Sequence, residues 1–186
     1  MAKKLNRIDG VISTEQLSEA GYSPTTFDNR HTANSGWARI SGLRMLYEST
    51  LGIVGMGEIG RELALRAAAF GMRVLYYQRN PLSASDEERY HAEYATLETL
   101  LGDSDWVSIQ LPRGEATRGL IDGTRLRQMK EGACLINTAQ AYHVDRDALI
   151  KALTSGHLGG FALDTPYEEP GRADDELLGF QNVILT

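Results

Sequence analysis

The segment Leu51–Gly60, LGIVGMGEIG, decides how the rest of the chain folds. It opens with an apolar run typical of a buried strand, and the residues after it carry apolar side chains near helical spacing. The pattern therefore predicts a strand, a tight turn and a helix in direct succession. We expect the buried face of that helix to contain Ile59, Leu63, Ala67 and Phe70.

Three glycines in this segment follow the G-x-G-x-x-G spacing. Gly55 permits the tight turn, Gly57 lets a pyrophosphate approach the backbone, and Gly60 lets the helix pack closely on the strand. The helix N-terminus then offers free N–H groups and the positive end of the helix dipole to phosphates. A turn that needs its glycines only for packing is the alternative. The predicted cofactor-binding residues here are Gly55, Met56, Gly57, Glu58, Ile59 and Gly60.

Strand-like and helix-like patterns alternate along the chain after this turn, which implies a parallel sheet with right-handed crossovers. We predict strands at 71–77, 106–111, 133–136, 160–163 and from 183, helices at 97–101, 126–130 and 145–154, and a polar loop at 81–88. The predicted fold class is α/β, a Rossmann-type doubly wound parallel sheet over residues 47–186. A short N-terminal appendage, 1–46, holds two short helical patterns and precedes it.

Composition limits the function classes. The 186 residues are 42% hydrophobic and 24% charged, which is ordinary for a soluble globular protein. A net charge of −6 argues against a dominant nucleic-acid or membrane-surface role. No apolar run is long enough for a bilayer and Met1–Leu5 lacks a signal-peptide core, so we expect a cytoplasmic protein without a membrane partner. The single cysteine, Cys134, cannot form an internal disulfide and is predicted to be buried in a strand.

The end of the second predicted strand bears on cofactor choice. An acidic residue usually binds the ribose 2′-hydroxyl of NAD(H) at about this position. Here the chain has Gln78 followed by Arg79. An amide does not repel a 2′-phosphate, and a guanidinium can pair with it. The sequence therefore predicts that NADP(H) is preferred over NAD(H), with an Arg79 that merely stacks on adenine as the alternative.

Beyond the glycine turn, several motifs occur in a characteristic order. They are WVSIQLP at Trp106–Pro112 with Thr117, MKEGA at Met129–Ala133, LINTA at Leu135–Ala139, Leu163–Asp164, Glu168–Pro170 and NVILT at Asn182–Thr186. Together these motifs resemble the D-isomer-specific 2-hydroxyacid dehydrogenases, a family that includes glyoxylate/hydroxypyruvate reductases and phosphoglycerate dehydrogenase. The resemblance covers about residues 36–186.

The resemblance implies hydride exchange between a nicotinamide dinucleotide and a 2-oxo or 2-hydroxy acid. An arginine of the family holds the substrate, and a histidine tuned by a glutamate is the general acid/base. Glu169 matches that glutamate, and Asp164 matches the aspartate near the nicotinamide carboxamide. The other cofactor-binding positions carried over are Leu111 and Pro112 in the cofactor wall, Thr117, and Thr138 and Ala139 beside the nicotinamide.

The chain departs from the family pattern at functional positions. Gln140 stands where the family has its substrate-binding arginine. The family histidine follows the segment that ends here at Thr186, so we expect an incomplete or degenerate catalytic set with weak turnover. His143 could improvise a catalytic role, whereas His157 is predicted to be a surface residue at a helix end. Residues 1–35 are too few for the family's substrate domain.

Two other functions remain open from the sequence. Residues 8–47 also fit a helix-turn-helix, which with a nicotinamide-binding domain would make a redox-sensing DNA-binding regulator. Only six Lys/Arg lie in the first fifty residues, which argues against it. A non-catalytic interaction protein is the other alternative, and the resemblance also implies a homodimer formed through the nucleotide-binding domain. The apolar side chains at 43–47 could join such an interface, although packing on the domain's own sheet is favoured.

Overall fold

The computed structural model describes residues 44–168 and 171–186. They belong almost entirely to the second of the two units into which the chain divides, Leu46–Thr186. The helices predicted for the appendage and the helix-turn-helix pattern lie outside the described residues, except for the last few residues of the latter. Within the described part, no helix combines the length and apolar character that crossing a membrane requires.

A parallel sheet of seven strands forms the centre of the domain, and its order is β3-β2-β1-β4-β5-β6-β7. The strands are β1 (Thr50–Val54), β2 (Arg73–Tyr77), β3 (Ala92–Tyr94), β4 (Trp106–Ile109), β5 (Cys134–Asn137), β6 (Gly160–Leu163) and β7 (Val183–Leu185). Every neighbouring pair is parallel. The first strand, β1, lies inside the sheet. The next two strands, β2 and β3, extend the sheet on one side of β1, and β4 to β7 extend it on the other side. This is the doubly wound topology, and it confirms the predicted fold class.

Five α-helices connect these strands. They are α1 (Glu58–Ala69), α2 (Ala84–Tyr90), α3 (Leu97–Asp103), α4 (Gly123–Gln128) and α5 (Arg146–Thr154). All but the first begin at a residue whose side-chain oxygen accepts a hydrogen bond from a backbone N–H three residues further on, a standard N-cap. These N-caps are Ser83, Thr96, Asp122 and Asp145.

Two elements differ from the sequence prediction. The predicted loop at 81–88 is wrong, because most of it belongs to α2. Ser83 accepts a hydrogen bond from the Asp86 amide at 3.2 Å. The acidic side chains in the first turn also stabilise the helix, because they lie near the positive end of its dipole. The helix buries only Tyr90, so hydrophobic periodicity could not reveal it. The three-residue strand β3 was also not predicted, because it is too short to form a pattern.

The buried face of α1 differs from the prediction as well. Its buried residues are Gly60, Ala64 and Ala67, whereas Ile59 is 68% and Phe70 is 62% exposed. Small side chains face the sheet because the helix lies very close to β1. In contrast, the buried position predicted for Cys134 in a strand is confirmed.

Two apolar side chains before β1, Met45 and Tyr47, are exposed, whereas Leu46 is half-buried. Tyr47 is 59% exposed and its ring lies beside Gly71. Met45 is exposed too, and Leu43 lies outside the described residues. The prediction that these side chains pack on the domain's own sheet is therefore wrong for Met45 and Tyr47.

Glycines at the β1–α1 junction hold the two elements together. Gly55 has a φ of 105°, in the left-handed region that favours glycine. A Cβ on Gly60 would collide with the carbonyl oxygen of Gly55, a rigid backbone atom. A Cβ on Gly57 would meet no atom within 4 Å. Gly60 is thus required for packing, whereas Gly57 leaves space at the surface.

We expect Gly60→Ala to lower the free energy of unfolding, because overpacking costs about 1–3 kcal/mol and alanine's better helix propensity returns only about 1 kcal/mol. Gly57→Ala is the matched control; its added Cβ meets no contact, and it should cost only about 0.5–1 kcal/mol, the effect of a poorer N-cap. Urea unfolding followed by circular dichroism measures both. Equal stability of the two variants would contradict the close contact between α1 and β1.

Candidate functional site

A groove of about 630 Å³ lies at the carboxyl ends of β1, β2 and β4. Three segments line it: the glycine turn at 55–57, the end of β2 at 77–80, and the loop after β4 between 110 and 120. The chain reverses its direction of winding between β1 and β4. Ligands of open parallel sheets bind at such a switch point.

The glycine turn forms the floor of the groove. The Gly55 amide donates to the carbonyl of Tyr77 at 2.9 Å, which fixes the turn beside β2. Gly55, Met56 and Gly57 line the groove, while Glu58 and Ile59 form the exposed first turn of α1. The first amides of a helix have no carbonyl of an earlier turn to bind. They are available to an anion at this position.

The end of β2 forms one wall. Gln78 donates its side-chain amide to the carbonyl of Asn80 at 2.6 Å, so this donor is already used within the loop. Arg79 is exposed, and no hydrogen bond or ion pair with another described residue holds its side chain. Among the described residues that line the groove there is no carboxylate. This wall is suited to an anionic group.

Tyr76 anchors that wall to α2. The fully buried Tyr76 hydroxyl donates to Glu87 at 2.7 Å and accepts from the Leu82 amide at 2.8 Å. Burial and then the hydrogen bond to Glu87 raise the pKa of Tyr76 from its ordinary value of 10 to about 12. The segment between Tyr76 and Leu82, which carries Arg79, is therefore held at both ends.

The raised pKa of Tyr76 makes stability depend on alkaline pH. Its stabilising effect is complete below pH 10, the unfolded value, and is lost as the pH rises towards the folded value of about 12. We expect the wild-type free energy of unfolding to fall by on the order of 2 kcal/mol more than that of Tyr76→Phe across this window. Urea unfolding at a series of pH values measures the difference, with Tyr94→Phe as control. Parallel curves for wild type and Tyr76→Phe would disprove it.

The loop after β4 forms the opposite wall. The groove is lined here by three residues that were predicted to contact the cofactor: Leu111, Pro112 and Thr117. The Thr117 hydroxyl donates to the carbonyl of Gly114 at 2.8 Å and lies 3.2 Å from that of Pro112. The Gly114 amide in turn donates to the Tyr142 hydroxyl at 2.9 Å. These contacts fix the backbone of the wall.

The loop after β5 lies beside this wall. Buried Asn137 organises it, because its side chain donates to the carbonyl of Gln140 at 2.8 Å and accepts from the Ala139 amide at 3.1 Å. Gln110, which lines the groove, donates to the Thr138 hydroxyl at 2.8 Å. Thr138, Ala139 and Gln140 do not line the cavity itself, but this hydrogen bond joins their loop to it.

The two histidines singled out from the sequence are structural. His143 is fully buried, and its Nδ1 lies 3.0 Å from the carbonyl of Thr117, so Nδ1 carries the proton and donates. Its Nε2 has no hydrogen-bond partner in the described part of the chain. The ring is packed between two loops and does not face the groove. His157 lies just beyond the end of α5, as predicted, and is half-buried, with its ring Nε2 3.0 Å from the carbonyl of Leu126.

The remaining predicted residues lie elsewhere on the same edge or outside the described chain. Asp164 follows β6, donates its amide to the carbonyl of Asn137 at 2.9 Å, and accepts from the Thr165 amide at 3.1 Å. Its carboxylate is exposed at the edge where β5 ends. Glu169 lies outside the described residues. Gln110, Arg113 and Tyr142 were not predicted. Gln110 lies within the WVSIQLP motif but was given no role, no motif marks Arg113, and Tyr142 reaches the wall only through its hydrogen bond with Gly114.

A glycine turn at the switch point of a doubly wound parallel sheet defines a dinucleotide-binding domain of the Rossmann type. Residues 25–186 match the family described as D-isomer specific 2-hydroxyacid dehydrogenase, NAD binding domain. The chain belongs to this family and carries its nicotinamide-dinucleotide-binding domain.

Individual relatives agree with this assignment. A glyoxylate reductase of Korarchaeum cryptofilum is 46% identical over 141 residues, which are 75% of this chain and 42% of that protein. The D-mandelate dehydrogenase of Rhodotorula graminis superposes with a TM-score of 0.76 at 32% identity, covering 93% of this chain and 49% of that one. A glyoxylate reductase from Paecilomyes thermophila gives 0.71 at 38% identity, with 80% and 45% covered.

The chain therefore spans less than half the length of these three relatives. The matches lend no support to a DNA-binding regulator or a non-catalytic interaction protein.

Proposed function

We propose that this chain is the NADP(H)-binding part of an oxidoreductase that exchanges hydride between the nicotinamide and a 2-oxo or 2-hydroxy acid. The observation that carries the NADP(H) preference is Arg79, exposed at the end of β2 in a groove with no carboxylate among its described lining residues. An acid at this place would favour the 2′-hydroxyl of NAD(H), whereas a guanidinium favours a 2′-phosphate. The glyoxylate reductases among the relatives support the substrate class.

The residues present fit such a cofactor. The open space at Gly57 and the first turn of α1 suit the pyrophosphate. Leu111 and Pro112 offer an apolar wall to the adenosine half. We place the nicotinamide near Thr138, Ala139 and Asp164 at the ends of β5 and β6. The bound nicotinamide would supply the hydride, and the protein would orient it and limit its contact with water.

Arg79 is the direct test of cofactor choice. We expect the wild type to bind NADPH more tightly than NADH. Arg79→Gln should weaken NADPH binding about tenfold, the size of a lost charge-assisted hydrogen bond, and leave NADH binding nearly unchanged. Isothermal titration calorimetry with both cofactors measures this.

The matched control is Arg127→Gln, which removes the same charge from an exposed position on α4 outside the groove. An equal loss of NADPH and NADH affinity in Arg79→Gln would show that Arg79 stacks on adenine instead. Failure of the wild type to bind either cofactor would refute the proposed function.

Gln140 bears on how tightly the substrate binds. We propose that this amide, at the family's arginine position, gives weak binding of a 2-oxo acid because it lacks the charge and planar fork of arginine. Its backbone is already positioned, since its carbonyl accepts hydrogen bonds from Asn137 and from the His143 amide at 3.1 Å. Glu169 would be the glutamate that tunes the pKa of an acid/base histidine.

Gln140→Arg should therefore tighten glyoxylate binding to the NADPH complex by about tenfold, the value of a charge-assisted pair. Quenching of NADPH fluorescence by titrated glyoxylate measures binding without requiring turnover. Gln128→Arg, at the exposed end of α4, adds the same charge elsewhere and should have no effect. No gain in Gln140→Arg over this control would disprove the role given to position 140.

Two copies form a homodimer through the nucleotide-binding domain, which the exposed Tyr47, Ile59 and Phe70 support and light scattering tests. The protein works in the cytoplasm, which cell fractionation tests. Residues 1–46 form a segment separate from the domain at 47–186, which limited proteolysis tests.

A further inference from the structure

We propose that Arg113, in the loop after β4, is a second binding residue for the 2′-phosphate of the cofactor, acting from the wall opposite Arg79. The inference rests on the proposed function, because it requires that the groove hold NADP(H). Arg79 and Arg113 are the two cationic side chains among the described residues that line the groove. Both are exposed, and neither is held by a hydrogen bond or ion pair within the described chain.

The sheet order places these residues on facing walls. β2 and β4 are the two neighbours of β1, one on each side. The segments that follow them, with Arg79 and Arg113, therefore rise on either side of the glycine turn and enclose the same cavity. A group bound between the walls is within the reach of two long side chains from opposite directions.

The charge of the 2′-phosphate favours a second guanidinium in the groove. A phosphate monoester carries about −1.5 to −2 charges at pH 7, so one guanidinium offsets about half of it. The pyrophosphate has its own donors, because Gly57 and the first turn of α1 offer free backbone amides. At the end of β2, Arg79 is the cationic side chain that lines the groove beside a 2′-phosphate. Arg113 on the opposite wall is the second cationic side chain of the described lining and can offset the remaining charge.

Neighbouring arginines are already engaged. Arg118 bonds to Glu115 at 3.2 and 3.3 Å, and its guanidinium lies 4.8 Å from the centre of the Tyr142 ring. Arg61 donates to the carbonyl of Met56 at 3.3 Å. Arg113 differs from both because its side chain is not held in the described structure.

The backbone around Arg113 is fixed although its side chain is free. Pro112 before it and Gly114 after it both present their carbonyls to the Thr117 hydroxyl. The Gly114 amide also donates to the Tyr142 hydroxyl. A fixed backbone lowers the conformational entropy that binding must remove, so Tyr142 is a positioning residue for Arg113.

The experiment is calorimetric titration of the full chain with NADP⁺ and NAD⁺, and with 2′-AMP and 5′-AMP as minimal probes. Arg113→Gln should weaken NADP⁺ and 2′-AMP about tenfold and leave NAD⁺ and 5′-AMP within about twofold. Tyr142→Phe should lower the NADP⁺/NAD⁺ affinity ratio by a smaller factor. In the Arg113→Gln background, Tyr142→Phe should leave that ratio unchanged, which a merely structural role would not predict. Arg127→Gln is the charge control.

Two results would overturn the inference while the proposed function stands. The first is an Arg113→Gln variant that binds NADP⁺ as tightly as the wild type does. The second is an equal loss of NADP⁺ and NAD⁺, which would place Arg113 at the adenine or the pyrophosphate. A wild type that binds neither dinucleotide would remove the proposed function, and this inference would fail with it.

Discussion

The close approach of α1 to β1 determines where everything else at the carboxyl edge can lie. A Cβ on Gly60 would collide with the carbonyl of Gly55, so only glycine allows the helix to start directly behind the turn. The helix N-terminus consequently points at the open space beside Gly57. Because the first turn of α1 is fixed in this way, its free amides and positive dipole end face the groove. A bulkier junction would move the helix away and leave the phosphates without these donors.

The two walls of the groove are built differently. The β2 wall is held from within its own half of the sheet, by the buried Tyr76 hydroxyl between Glu87 and Leu82. The β4 wall is held by the neighbouring loop after β5, through Tyr142 and the buried ring of His143. The loop after β4 and the loop after β5 are therefore held together by direct hydrogen bonds. Gln140 lies in the second of these loops, two residues from Tyr142, so a change there can also shift the loop after β4.

The sequence predicted the fold because its strongest signals are the ones that build the sheet. Apolar strands buried on both faces and glycines at the β1–α1 junction leave a pattern in the chain. Helix α2 and strand β3 were missed because one buries a single residue and the other is three residues long. The face of α1 was misassigned because close packing selects small residues rather than large apolar ones. Arg113 and Tyr142 could not be predicted, because the sequence does not show the hydrogen bond between two loops that brings Tyr142 against the wall carrying Arg113.

The parallel sheet also constrains the order in which the chain can fold. Its strands pair with partners distant in sequence, because parallel neighbours need long crossovers and cannot form hairpins. Residues Leu51–Val54 of β1 pair with Trp106–Ile109 of β4, although α1, β2, α2, β3 and α3 lie between them in the chain. During synthesis, β1 can first pair only with β2 and keeps one edge open until β4 has been made. The central strand thus remains an unprotected template for wrong pairing until Trp106–Ile109 have been made.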